Sequence, residues 1–98
     1  RITNMILHVV MWKFKEGEEA NVDKFLTGLD GLRGIIPQIV DMELGKNINP
    51  NNDFDAVLVI KFKSFEDLEI YKNHPEHKKV SALCKSIRTA REAVDIEI

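Results

Sequence analysis

The sequence predicts an α+β fold: one antiparallel sheet of four strands, with its helices packed on a single face. Three observations lead there. Apolar residues alternate with a period of two over Met5–Phe14, Ile39–Lys46, Phe54–Lys63 and Ala90–Ile98. Between the first and second of these runs, and between the third and fourth, they recur at three- and four-residue spacing instead. The resulting order, strand-helix-strand-strand-helix-strand, is that of a ferredoxin-like unit, βαββαβ.

In the first strand Ile6, His8, Val10, Trp12 and Phe14 share one side, and Met5, Leu7, Val9 and Met11 the other. Lys15–Glu19 breaks the alternation. The stripe Val22, Phe25, Leu26, Leu29 and Leu32 then marks a helix whose exit is bracketed by Gly34 and Pro37. Val40, Met42 and Leu44 form one side of the second strand, and the turn formers of Asn47–Asp53 end it. Ala56, Leu58, Ile60 and Phe62 oppose Val57 and Val59 in the third strand. Ser64 is a natural N-cap for the next helix, with Glu66 and Asp67 suited to its positive end and Leu68, Tyr71 and Phe65 facing inward. Pro75 interrupts, and a further helical piece turns Val80, Leu83, Cys84 and Ile87 inward as far as Ile87. In the last strand Val94, Ile96 and Ile98 alternate with Ala93, Asp95 and Glu97.

Helices can cover only one side of such a sheet, yet the first and third strands are apolar on both. An antiparallel sheet with one face in water would be polar there. The uncovered Met, Leu and Val side chains exceed what a monomer exposes, so a homodimer pairing two sheets face to face is expected.

Composition narrows the function classes. The 98 residues read as one domain over residues 5–98, with residues 1–4 expected to precede a natural start at Met5. Fourteen basic against sixteen acidic side chains give a net charge of −2, without the clustered basic face of a nucleic-acid binder. No apolar run reaches the roughly 20 residues that span a bilayer, and no signal-peptide pattern opens the chain. Cys84, the one cysteine, excludes an internal disulfide and reads as a packed thiol in a reducing compartment; the expected location is cytoplasmic.

Proton-moving groups concentrate in Tyr71-Lys72-Asn73-His74-Pro75-Glu76-His77, with His8 on the first strand. Imidazole exchanges protons near neutrality, and a phenol donates well to a carbonyl oxygen gaining charge. An enolising carbonyl substrate needs both. Two other readings fit the same residues. Asn73 or His74 can cap a helix that begins at Pro75, with Glu76 in its first turn, and the cluster can bind a ligand without turnover. His8, His74 and His77 lie across a proline break without a partner at ligand spacing, so no metal and no cofactor are expected.

The stretch His8-Val9-Val10-Met11-Trp12-Lys13-Phe14-Lys15, the segments Gly45-Lys46-Asn47 and Asp53-Phe54-Asp55, the run from Phe65 to His77, and Asp95 together resemble the stress-responsive dimeric α/β barrel (Dabb) domain family. The resemblance implies a ferredoxin-like subunit dimerised into a barrel. One branch of the family closes linear polyketides by an aldol-type condensation. Its tyrosine and histidine correspond to Tyr71 and His77, its first-strand histidine to His8, and Asp95 to an acid able to orient an imidazole. The same branch implies a pocket walled by Val10, Trp12, Phe25, Leu29, Leu58, Val80 and Leu83. The chain departs from it at Arg91, which sets a charge beside that wall, and at Glu76, where the cyclase has a small residue. Three functions follow as expectations: a pocket for a small apolar or carbonyl-bearing ligand, a cyclase-like enzyme, or a structural stress protein without a ligand.

Overall fold

Residues 4–98 are described by a computed structural model; residues 1–3, most of the expected N-terminal extension, lie outside them. The elements follow the expected order: β1 (Ile6–Phe14), α1 (Glu19–Gly31) with a short 3-10 turn at Leu32–Gly34, β2 (Asp41–Lys46), β3 (Ala56–Phe62), α2 (Phe65–Asn73), α3 (Pro75–Ile87) and β4 (Arg88–Glu97). The sheet order is β2-β3-β1-β4, antiparallel throughout. This is the ferredoxin-like arrangement. Gly17 makes the turn out of β1 at φ 83°, a left-handed conformation open to glycine at no steric cost.

Sheet register decides which side chains can meet. Residues directly opposite across a ladder share a face, so the β1–β3 pairs His8↔Ile60, Val10↔Leu58 and Trp12↔Ala56 all point under the helices. On the other flank of β1 the pairs are His8↔Asp95, Val10↔Ala93 and Trp12↔Arg91. The chain thereby brings a histidine and an aspartate 87 positions apart in sequence side by side on the covered face.

The core lies between that face and the helices. It joins Val10, Trp12, Met42, Leu58, Ile60 and Phe62 to Phe25, Leu29, Leu32, Leu68, Tyr71, Cys84 and Ile87. Each buried large side chain contributes about 1.5–3 kcal/mol relative to its exposed state. Phe65 differs from its expected inward place: as the first residue of α2, at the end of the helix's inward stripe, it is 54% exposed. The opposite face of the sheet has no helix on it. Val9 and Val59 are half-buried there, and Met11, Val57, Val94 and Ile96 are exposed.

The break between α2 and α3 is local chemistry. A residue before proline avoids the helical region, and His74 is extended at φ −64° and ψ 135°. Ser64 caps α2 by accepting the Asp67 N–H at 3.1 Å. His74 caps α3 with its Nδ1, which accepts the Glu76 N–H at 3.1 Å.

Candidate functional site

That cap has a consequence for the next histidine. In an unbroken helix the Glu76 N–H would bond the Lys72 carbonyl; here it bonds His74 and leaves that carbonyl free. His77, in the first turn of α3, supplies the missing donor through Nδ1, 3.1 Å from the Lys72 oxygen. A carbonyl can only accept, so Nδ1 carries the proton and Nε2 keeps its lone pair. His8 is held in the same tautomer by a different partner. Its Nδ1–H donates to the Asp95 Oδ1 carboxylate oxygen set opposite it by the β1–β4 register, again leaving Nε2 uncommitted.

Tyr71 lies between the two imidazoles. Its ring centroid is 4.4 Å from that of His77 and 6.4 Å from that of His8, and Phe62 packs on it at 5.1 Å. Burial holds the pKa of both imidazoles below the ordinary histidine value, outweighing the Asp95 carboxylate beside His8 and the Lys72 carbonyl beside His77. The charges of Arg91 and Lys72 push the same way. Burial drives the Tyr71 phenol well above its ordinary value. At neutral pH the cluster is therefore two unprotonated imidazoles and one protonated phenol, two proton acceptors facing one hydrogen-bond donor.

These groups line one small cavity of about 50 Å³ between sheet and helices. Its other walls are Val10, Trp12, Phe25, Leu29, Leu58, Ser81, Cys84, Arg88 and Arg91. A water needs about 10–15 Å³ of such space, so the cavity has room for a few waters or a small carbonyl-bearing group. Trp12, seated edge-on against Phe25 with ring centroids 5.0 Å apart, forms part of the wall. A larger hollow of about 470 Å³ lies beside the Asn47–Asp53 loop, but it is walled by Met11, Asn51, Asn52 and Val57 and contains no imidazole or phenol.

Of the residues expected on the wall, Val80 and Leu83 stand elsewhere. The cavity face of α3 is the stripe His77, Ser81 and Cys84, spaced four and three apart, with Arg88 following at the helix cap. Val80 is rotated one position off that stripe and packs toward α1, where a Cβ on Gly28 would come within 3.2 Å of its Cγ2. Leu83, equally offset, packs on the core cluster. Glu76 pairs with Lys79 on the surface at 3.2 Å and has no part in the cavity. Ser81 and Arg88 escaped the sequence reading, and Cys84 was read there only as a packed thiol, although the helical spacing of Ser81 and Cys84 from His77 marks them. Cys84 is a buried free thiol whose pKa burial raises, with Arg88 Nη1 3.9 Å from its sulfur. Among the described residues, no group of three or more His, Cys, Asp or Glu is arranged to hold a metal ion, and no helix is long and apolar enough to cross a membrane.

Fold and site together define a ferredoxin-like domain with an acid–base cluster buried between sheet and helices. Residues 6–98 match the family model of the stress responsive A/B barrel domain, and the chain belongs to that Dabb family. It is 30% identical over 76 residues to olivetolic acid cyclase of Cannabis sativa, covering 74% of this chain and 75% of that protein. A dimeric protein of unknown function and ferredoxin-like fold from Bacteroides fragilis superposes with a TM-score of 0.90 at 25% identity, over 96% of both chains. The hydroxynitrile lyase from Passiflora edulis shares the fold, with a TM-score of 0.86 at 15% identity over 96% of this chain and 93% of that one.

Proposed function

We propose that the chain works as a homodimer in which each subunit takes a small carbonyl-bearing molecule into the histidine cavity and moves a proton on it. The observation that carries the reading is the pair of imidazoles fixed as Nδ1–H tautomers around a protonated phenol. A carbonyl oxygen placed against the Tyr71 hydroxyl gains a hydrogen bond that strengthens as charge develops on it. The uncommitted Nε2 of His77 takes the proton from the adjacent carbon or hydroxyl, while His8, held by Asp95, steadies the far side of the cavity. Two relatives support the class, one a cyclase and one a lyase. The cavity volume favours a compact substrate over a long polyketide.

Dimerisation is supported by the apolar, helix-free face around Val9, Met11, Val57, Val94 and Ile96 and by the dimeric state described for the Bacteroides relative. A buried free cysteine fits the expected cytoplasmic location.

Deuterium exchange at the α-carbons of 2-butanone in heavy water, followed by proton NMR, tests the chemistry. Catalysed exchange should fall about a hundredfold or more in His77→Ala and by a similar factor in Tyr71→Phe. Wild-type exchange no faster than buffer would remove the proton-transfer reading. Loss in His8→Ala with full activity in His77→Ala would move the base to the His8–Asp95 pair, a reassignment that their hydrogen bond favours over any other.

A further inference from the structure

Two features of the cavity have no role in moving a proton. The first is its rim of cations. Arg88 caps the end of α3 as the first residue of β4, Arg91 stands opposite Trp12 on β4, and both line the cavity. The ion pairs among the described residues are His8–Asp95, Arg33–Asp30, Lys46–Asp23 and Lys79–Glu76, so neither arginine has a carboxylate partner. Arg88 is half-buried with only a sulfur contact, and Arg91 is exposed. The second feature is Trp12. It is 4% exposed, and its indole Nε1 is the one buried side-chain nitrogen or oxygen among the described residues without a hydrogen-bond partner. A buried donor left unpaired carries a desolvation penalty that an arriving acceptor relieves.

Both features ask for the same thing. We propose that the ligand of this cavity is a compact keto acid, its carboxylate held at the rim by Arg88, Arg91 and the Trp12 indole N–H, and its carbonyl directed to Tyr71. The carbonyl end rests on the proton-transfer reading given above; the carboxylate end rests on the arginines and the indole alone. Guanidinium groups bind a carboxylate through paired N–H donors and are weakly hydrated, so they suit a half-buried rim better than lysine would. The local charge agrees. The whole chain is net negative at −2. Yet Arg91 acts on His8, Tyr71, His77 and Cys84, Lys72 acts on both histidines, and Asp95, already bonded to His8, is the one carboxylate that acts on any of them. A cavity of about 50 Å³ takes the keto end and leaves the acid group at the mouth, where the arginines are.

Acetoacetate and 2,4-pentanedione test this directly, because they have the same heavy-atom count and differ chiefly in a carboxylate against a methyl ketone. Titration by calorimetry, with NMR of the single indole N–H, should show acetoacetate binding at least tenfold more tightly than the dione and moving the Trp12 signal downfield. Added salt should weaken that preference. Arg91→Gln and Arg88→Gln should each reduce the ratio of the two affinities, and Arg91→Lys should retain part of it. Equal or tighter binding of the dione overturns the keto-acid proposal while leaving the neutral-carbonyl reading standing. Binding of neither probe overturns both. The wild-type ratio decides the matter even if an arginine variant fails to fold.

Discussion

Acidification should destabilise this protein earlier than its carboxylates can account for. His8 and His77 are both held below the ordinary histidine value when folded, chiefly by burial, whereas in the unfolded chain they titrate near about 6.5. The unfolded chain therefore binds protons that the folded chain refuses, and stability rises with pH through this window. One pH unit below the unfolded value, linkage caps the cost of refusing a proton at about 1.4 kcal/mol per imidazole, so about 3 kcal/mol is the ceiling for the pair between roughly pH 7.5 and pH 5.5. That is a large share of the 5–15 kcal/mol typical of a folded domain. Urea unfolding at the two pH values measures it, at fixed protein concentration because a dimer's stability depends on concentration. His77→Gln should abolish about half of the loss. Stability that stays flat on acidification would mean that the folded chain takes up these protons as readily as the unfolded one, and stability that rises would mean that the fold favours the imidazolium; either result would refute the burial argument.

Other perturbations separate packing from chemistry. Tyr71→Phe retains the ring against Phe62 and removes only the hydroxyl, so thermal unfolding should change by about 1 kcal/mol or less while α-carbon exchange collapses. His74→Ala removes the acceptor for the Glu76 N–H and should cost about 1 kcal/mol in denaturant unfolding, without abolishing exchange, because His74 is outside the cavity. Val94→Glu puts a charge on the helix-free face; light scattering should report a fall from two chains to one, and an unchanged dimer would place the interface elsewhere.

The fold was legible because its signals are local and repeated. Period-two runs gave all four strands, and the excess of apolar residues on β1 and β3 exposed the uncovered face before any coordinates. Boundaries moved by a few residues where β2 begins at Asp41 and β4 at Arg88. Part of the site was legible for the same reason: Tyr71 and His77 flank a proline break that the sequence announces. The rest depends on information no local pattern carries. His8 meets Asp95 only through the β1–β4 register, which pairs residues from the two ends of the chain. Val80 and Leu83 were expected on the wall from the resemblance to the cyclase branch, but one position on a helix is a turn of about 100°. The face of α3 that lines the cavity is the more polar stripe His77, Ser81 and Cys84. Nor can a sequence show that the Trp12 indole ends without an acceptor, since this follows from what the folded neighbours fail to offer.

The proton-transfer account depends on where two protons sit. Long-range nitrogen–proton correlation spectra of the histidine rings at neutral pH read this directly. The account predicts His8 and His77 both neutral, each carrying its proton on Nδ1 and a bare Nε2. An imidazolium signature, or a proton on Nε2 of His77, would leave the cavity without the acceptor assigned to it.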